Sequence, residues 1–198
     1  MIVVVEGDTD LPYIRKLVIE AGFAEYTAID AAGCGNIDRD LDKYNEMAKG
    51  MPIVVLRDLD NSAPCGAALV QKLVPNPSRG LCLRIAVREL ESWVMADASG
   101  FSRFTGIDEK WLPANPDAEK DPTLALIKVA AHAPARIRRM LLPAKGSSAI
   151  VGPLYEAKLI EFGERGWSPI RAAKRSPSLK RARQALSALA RNWPAFLA

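Results

Sequence analysis

The chain has 198 residues, 49% of them hydrophobic, and 27 Lys and Arg stand against 23 Asp and Glu for a formal net charge of +4. This composition excludes an intrinsically disordered chain and suffices for a sizeable core, while no apolar run is long enough to span a bilayer. The three cysteines, Cys34, Cys65 and Cys82, have neither metal-binding spacing nor even number, which fits reduced thiols in the cytoplasm.

In chain order, Ile2-Val3-Val4-Val5 reads as a buried parallel strand that stops at Glu6-Gly7. A strand this close to the first residue leaves no signal peptide to be expected. Residues 8–21 predict a helix, with Asp8 or Thr9 as cap, Pro12 in the first turn, and Leu11, Ile14, Leu17, Val18 and Ala21 on one stripe. Tyr26 to Ile29 predicts a short strand. Gly33 and Gly35 then make a turn, and Asn36 caps a helix carrying Ile37, Leu41, Tyr44 and Met47 as far as Gly50. Ile53 to Leu56 is the third strand of a β-α-β-α-β pattern and runs into Asp58-Leu59-Asp60. An extended backbone there points Asp58 and Asp60 to one face. Strand pairing that brings Glu6 alongside offers three hard oxygen donors, the kind that suits Mg²⁺ or Mn²⁺. Taken singly, Asp10, Asp58 and Asp60 also fit ordinary turn and cap positions.

Leu81 to Val87 predicts a fourth strand, and Arg88 to Trp93 opens a helix in which Glu89 and Glu91 suit the N-terminal dipole and Trp93 suits the core. A Pro-containing stretch from Leu112 to Pro122 divides the chain into an α/β part, 1–122, and a helical extension, 123–198. Pro134 interrupts the helical pattern of 123–142, a loop spans 143–148, and a helix is expected near 153–162. The last helix starts at Ser176-Pro177-Ser178, burying Leu179, Ala182, Leu186, Leu189 and Trp193 and leaving Lys180, Arg181, Arg183 and Arg191 to solvent. His132, the only histidine, lies in an Ala-rich stretch and reads as a packing residue, which leaves Ser-His-Asp or Cys-His chemistry without support. Charge is divided unevenly: residues 1–127 hold 13 Lys and Arg against 20 Asp and Glu, a balance of −7, and residues 128–198 hold 14 against 3, a balance of +11. The basic half is the expected site of phosphate contact, with Lys145, Arg171 and Lys174 as candidates.

The Glu6-Gly7 turn after the first strand, the small-residue turn at 32–36 and the strand ending in Asp58-x-Asp60 together resemble the Toprim domain over roughly residues 1–97. That domain occurs in topoisomerases, bacterial primases, recombination and RNA-maturation proteins, and the nucleases of the overcoming-lysogenization-defect group. The resemblance implies a mainly parallel, Rossmann-like sheet flanked by helices, with Glu6 as general acid/base or metal ligand and Asp58 and Asp60 as Mg²⁺ ligands. The fourth strand and the helix after it are similar to defence-associated bacterial Toprim-like proteins, which implies a metal-site role for Glu91, with Glu89 and Asp97 as lesser candidates; Asp10 and Glu91 would support a second ion. Asp60 is followed by Asn61-Ser62-Ala63-Pro64 where topoisomerases have a Gly-containing turn, and the chain lacks room for a tyrosine-bearing domain. A Mg²⁺- or Mn²⁺-dependent nuclease acting on DNA or RNA, in phage defence or nucleic-acid processing, is therefore the expected function, with a partner protein or a homo-oligomer allowed.

Two other classes compete. A haloacid-dehalogenase-like phosphatase also uses Asp-x-Asp at a strand end, though the motif would normally open the fold and a Thr or Val would stand at Asn61. A non-catalytic Toprim-fold module that binds nucleic acid or protein is the other.

Overall fold

The structure is a computed structural model and describes residues 1–196. Its four strands, β1 (Ile2–Val5), β2 (Thr27–Asp30), β3 (Ile53–Asp58) and β4 (Leu81–Ala86), form one all-parallel sheet in the order β2-β1-β3-β4. The helices are α1 (Leu11–Glu20), α2 (Cys34–Met47), α3 (Gly66–Leu73), α4 (Leu90–Ala96), α5 (Ala98–Thr105), α6 (Pro122–Ala130), α7 (Ala135–Leu141), α8 (Tyr155–Arg165), α9 (Pro169–Ala172) and α10 (Pro177–Asn192). The protein is thus α/β with a parallel sheet flanked by helices. Among the described residues no helix is long and apolar enough to cross a membrane.

The central strands are apolar on both faces because both faces are covered. Val3, Val5, Val54 and Leu56 point into one cluster with Tyr13, Leu17 and Trp93; Val4, Ile53 and Val55 alternate into the opposite one with Ile37, Leu41 and Leu69. Helices α2 and α3 cover the second face. The first cluster takes in the helices beyond residue 122 as well, since Leu159, Phe162, Leu179, Leu186 and Leu189 pack in it with β1 and β3. The α10 stripe is buried as the spacing predicts, its start is capped by Ser176 Oγ accepting from Leu179 N at 3.1 Å, and the break at Pro134 separates α6 from α7. Met47 departs from its expected stripe: it is 45% exposed, because α2 ends there, while Ile37 and Leu41 are buried against the sheet and Tyr44 packs partly against it.

Register fixes where the acidic residues fall. Val4 pairs with Val55 across β1 and β3, so the carboxyl ends of both strands emerge at one edge. The chain leaves β1 for β2 on one side and returns to β3 on the other, which makes the β1–β3 junction the switch point where open α/β sheets carry their crevices. Gly33 helps to form it. At φ +112° this residue accepts a backbone conformation closed to most side chains, and its N–H donates to Glu6 O at 2.8 Å.

Candidate active site

The crevice at the β1–β3 junction is a cleft of about 370 Å³ lined by five carboxylates, Glu6, Asp10, Asp58, Glu91 and Glu156, and, among the described residues, by no Lys or Arg. Glu6 and Asp58 arrive on the ends of β1 and β3. Asp10 closes the 3₁₀ turn of residues 8–10, and Glu91 lies in the first turn of α4. The far wall comes from the C-terminal half, through Val151, Tyr155 and Leu159. Helix α8 reaches that position because it crosses α1 closely: a Cβ on Gly163 would meet Pro12 and Tyr13 at 2.8 Å. Tyr13 Oη donates to Leu159 O at 2.7 Å and holds the crossing.

Several of these carboxylates are aimed by protein donors. Glu6 Oε1 accepts from Asp58 N at 2.7 Å, binding the two strand ends together. Asp10 Oδ2 accepts from Glu6 N at 3.1 Å and Gly7 N at 3.3 Å. Glu91 Oε1 accepts from Tyr155 Oη at 3.1 Å. No hydrogen bond to the Asp58 carboxylate occurs among the described residues. Arg57, the cation nearest in sequence, is turned to the opposite side, where it pairs with Asp38 at 2.8 Å and donates to Asp58 O and Ser62 Oγ.

The electrostatic result is a set of crowded anions, with the Arg57 charge offsetting part of the effect at Glu6. Burial, followed by the charges of Asp10, Glu6 and Glu91, holds Asp58 well above the usual carboxylate range. Burial pushes Asp10 up to about 7 against the lowering effect of the Gly7 N–H, and burial also raises Glu6 and Glu91. Like-charged carboxylates this close stay ionised together at neutral pH only when a cation offsets them, and otherwise share protons. This donor set, all oxygen and with no Lys or Arg lining the cleft among the described residues, suits a hard divalent ion. As now oriented, no three His, Cys, Asp or Glu side chains among the described residues form a ready-made ligand group, so coordination requires the free carboxylate oxygens to turn inward.

Asp60 stands apart from the expectation. The strand ends at Asp58, Leu59 is buried beneath the turn, and Asp60 adopts φ +46°, so the extended backbone that would place Asp58 and Asp60 on one face is absent. Asp60 does not line the cleft, although its charge acts on Glu6 and Asp58 from beside it. Its turn is tied to the end of β4 by Asp60 N donating to Arg88 O at 3.0 Å and Arg88 Nη1 donating to Asp60 O at 2.6 Å. Glu89 does not line the cleft but borders it, accepting from the cleft residue Thr123 at N (2.9 Å) and Oγ1 (2.7 Å). Asp97 is fully buried and accepts from Arg171 Nε and Nη2, both at 2.7 Å, and from Ser168 N at 2.8 Å.

That pair changes the reading of Arg171. Expected as a phosphate contact, it is an internal tie between α9 and the α4–α5 junction. Lys145 is exposed in the loop before α8, and Lys174 lines a separate basic groove at α9 and α10. His132 stacks on Trp111 with ring centroids 3.6 Å apart, and Trp93 is buried in the core with its Nε1 donating to Ser178 Oγ at 2.8 Å. Comparisons with family models, with curated proteins and with solved structures return no match for this chain. Tyr155, Thr123 and the fifth carboxylate, Glu156, are cleft residues that the sequence reading passes over. Tyr155 carries only the faint signal of a tyrosine on the buried stripe of an amphipathic helix.

Proposed function

We propose that the protein is a Mg²⁺- or Mn²⁺-dependent phosphodiester hydrolase acting on DNA or RNA, built on a Toprim-like variant of the parallel α/β fold. The observation that carries this reading is the switch-point cleft with five carboxylates and, among the described residues, no lining cation; burial raises the carboxyls of Glu6, Asp10, Asp58 and Glu91, and neighbouring cleft carboxylates raise Asp10 and Asp58 further. Asp58, whose carboxylate accepts no hydrogen bond among the described residues, and Glu6 would hold the ion, with Asp10 and Glu91 available to a second. When bound, such an ion polarises a phosphodiester and lowers the pKa of a water molecule.

The chain's own groups supply the rest. The Asp58 N–H fixes one Glu6 oxygen and leaves the other to accept a proton from water at the cleft. Tyr155 donates to Glu91 and fixes the orientation of that carboxylate. Asp60 adds negative charge beside Glu6 and is a weaker candidate ligand than Asp58. The turn that takes it out of the cleft also counts against the phosphatase reading, which needs the second Asp beside the first.

The test is incubation of purified protein with plasmid, single-stranded DNA and RNA in Mg²⁺, Mn²⁺ or EDTA, alongside Asp58→Asn. Metal-dependent cleavage that Asp58→Asn abolishes supports the proposal. Binding without turnover under every metal condition would favour a non-catalytic module.

A further inference from the structure

A groove of about 850 Å³ runs between the 114–115 turn and helices α9 and α10, and it contains no Asp or Glu. Five cations line it: Lys174, Arg175, Lys180, Arg181 and Arg183. Two of them are committed to the fold. Arg175 donates to Pro113 O at 2.5 Å, and Arg183 pairs with Glu20. Lys174, Lys180 and Arg181 are exposed and make no ion pair or side-chain hydrogen bond among the described residues.

These three are held outward by a rigid support. Leu179, Ala182 and Leu186 anchor α10 in the core, so Lys180, Arg181 and Gln184 present to the groove from a helix that cannot roll. From Pro177 to Gln184 the helix rises roughly 10 Å at about 1.5 Å per residue. Along the axis of a duplex, each strand passes about three phosphates over that distance, at roughly 3.4 Å of rise each. The groove is concave and has, among the described residues, one large exposed apolar side chain, Ile170, which is unlike the broad apolar band of a membrane-surface helix. It shares no lining residue with the acidic cleft, whose carboxylates repel phosphate unless a metal offsets them.

We propose that this groove binds the phosphate backbone of a nucleic-acid strand, independently of sequence, and does so without the metal that the acidic cleft requires. The inference deepens the hydrolase reading by giving the substrate a second point of attachment, and it rests on that reading only for the fate of the bound strand. Lys174, Lys180 and Arg181 each neutralise one phosphate.

Fluorescence anisotropy of labelled single-stranded and duplex DNA, measured in EDTA over a series of salt concentrations, tests it without any contribution from metal. The wild type should bind, and the triple variant Lys174→Gln, Lys180→Gln, Arg181→Gln should lose about 2 units of the log-affinity against log-salt slope on single strands and nearly 3 on duplex. Circular dichroism confirms folding, and a charge-matched control, Lys128→Gln, Arg139→Gln, Arg191→Gln, should keep most of the slope. An unchanged slope in the groove variant overturns the proposal. An equal loss in the control overturns it too, by assigning binding to net charge, as does tighter binding to phosphatidylglycerol vesicles that DNA fails to displace. Metal-free DNA binding without cleavage in Mg²⁺ or Mn²⁺ would refute the hydrolase reading and leave the groove standing.

Discussion

Replacing Asp10 with Asn removes one of the five cleft carboxylates while keeping an oxygen for the N–H groups of Glu6 and Gly7. Burial, opposed by the Gly7 N–H and reinforced by the charge of Glu6, pushes this carboxyl up to about 7 from its ordinary value of 3.8. The folded chain therefore keeps a proton that the unfolded chain releases. By linkage, stability that is fully present below about pH 4 is lost as pH rises through about 7. A gap of about 3 units at roughly 1.36 kcal/mol each gives a ceiling of ~4 kcal/mol near pH 8, shared with Glu6 and Glu91 because the cluster titrates together. Asn stays neutral throughout. In EDTA near pH 8 the Asp10→Asn protein should exceed the wild type by up to ~4 kcal/mol, about 10 °C in Tm for a chain of this size, and near pH 4 the two should converge. Mg²⁺ should narrow the gap by stabilising the wild type more. Urea unfolding across this pH range provides the assay. An Asp10→Asn protein that is less stable near pH 8, or a difference that does not vary with pH, would refute the reasoning.

Other substitutions separate chemistry from architecture. Glu6→Gln keeps an acceptor for Asp58 N, so it should fold and bind nucleic acid yet lose turnover; near-normal cleavage would assign Glu6 to the turn alone. Tyr155→Phe removes the donor to Glu91 and should cost about 1–2 kcal/mol in urea unfolding, with a shifted pH profile of cleavage. Asp60→Asn should weaken activity less than Asp58→Asn does, as initial rates at saturating Mn²⁺ would show. Arg171→Ala strands the buried Asp97 charge and should destabilise by about 3–5 kcal/mol without changing the salt slope of DNA binding.

The strands and the acidic edge were legible because apolar runs such as Ile2–Val5 and Ile53–Leu56 end abruptly in carboxylates, a pattern that fits buried parallel strands with a site at their tips. Glu6, Asp10, Asp58 and Glu91 do share one cleft. What local pattern could not carry was the turn at Asp60, where left-handed backbone replaces the extended form within two residues of the strand. Helices α3 and α5 went unread because each is only 8 residues long and opens among residues that also suit turns. The partnership of Arg171 with Asp97 spans 74 positions and leaves no periodic trace, so the same Arg reads from sequence as a free cation. Distance in the chain likewise concealed Tyr155, which helix α8 brings to the cleft by crossing α1 at Gly163.

Calorimetric titration of Mg²⁺ and Mn²⁺ into the wild type, Asp58→Asn and Asp60→Asn at neutral pH tests the central claim, a divalent-cation site at the β1–β3 switch point, most directly. Saturable binding by the wild type that Asp58→Asn abolishes and Asp60→Asn only weakens is the predicted result. No binding heat at millimolar metal, or equal binding by wild type and Asp58→Asn, would contradict it.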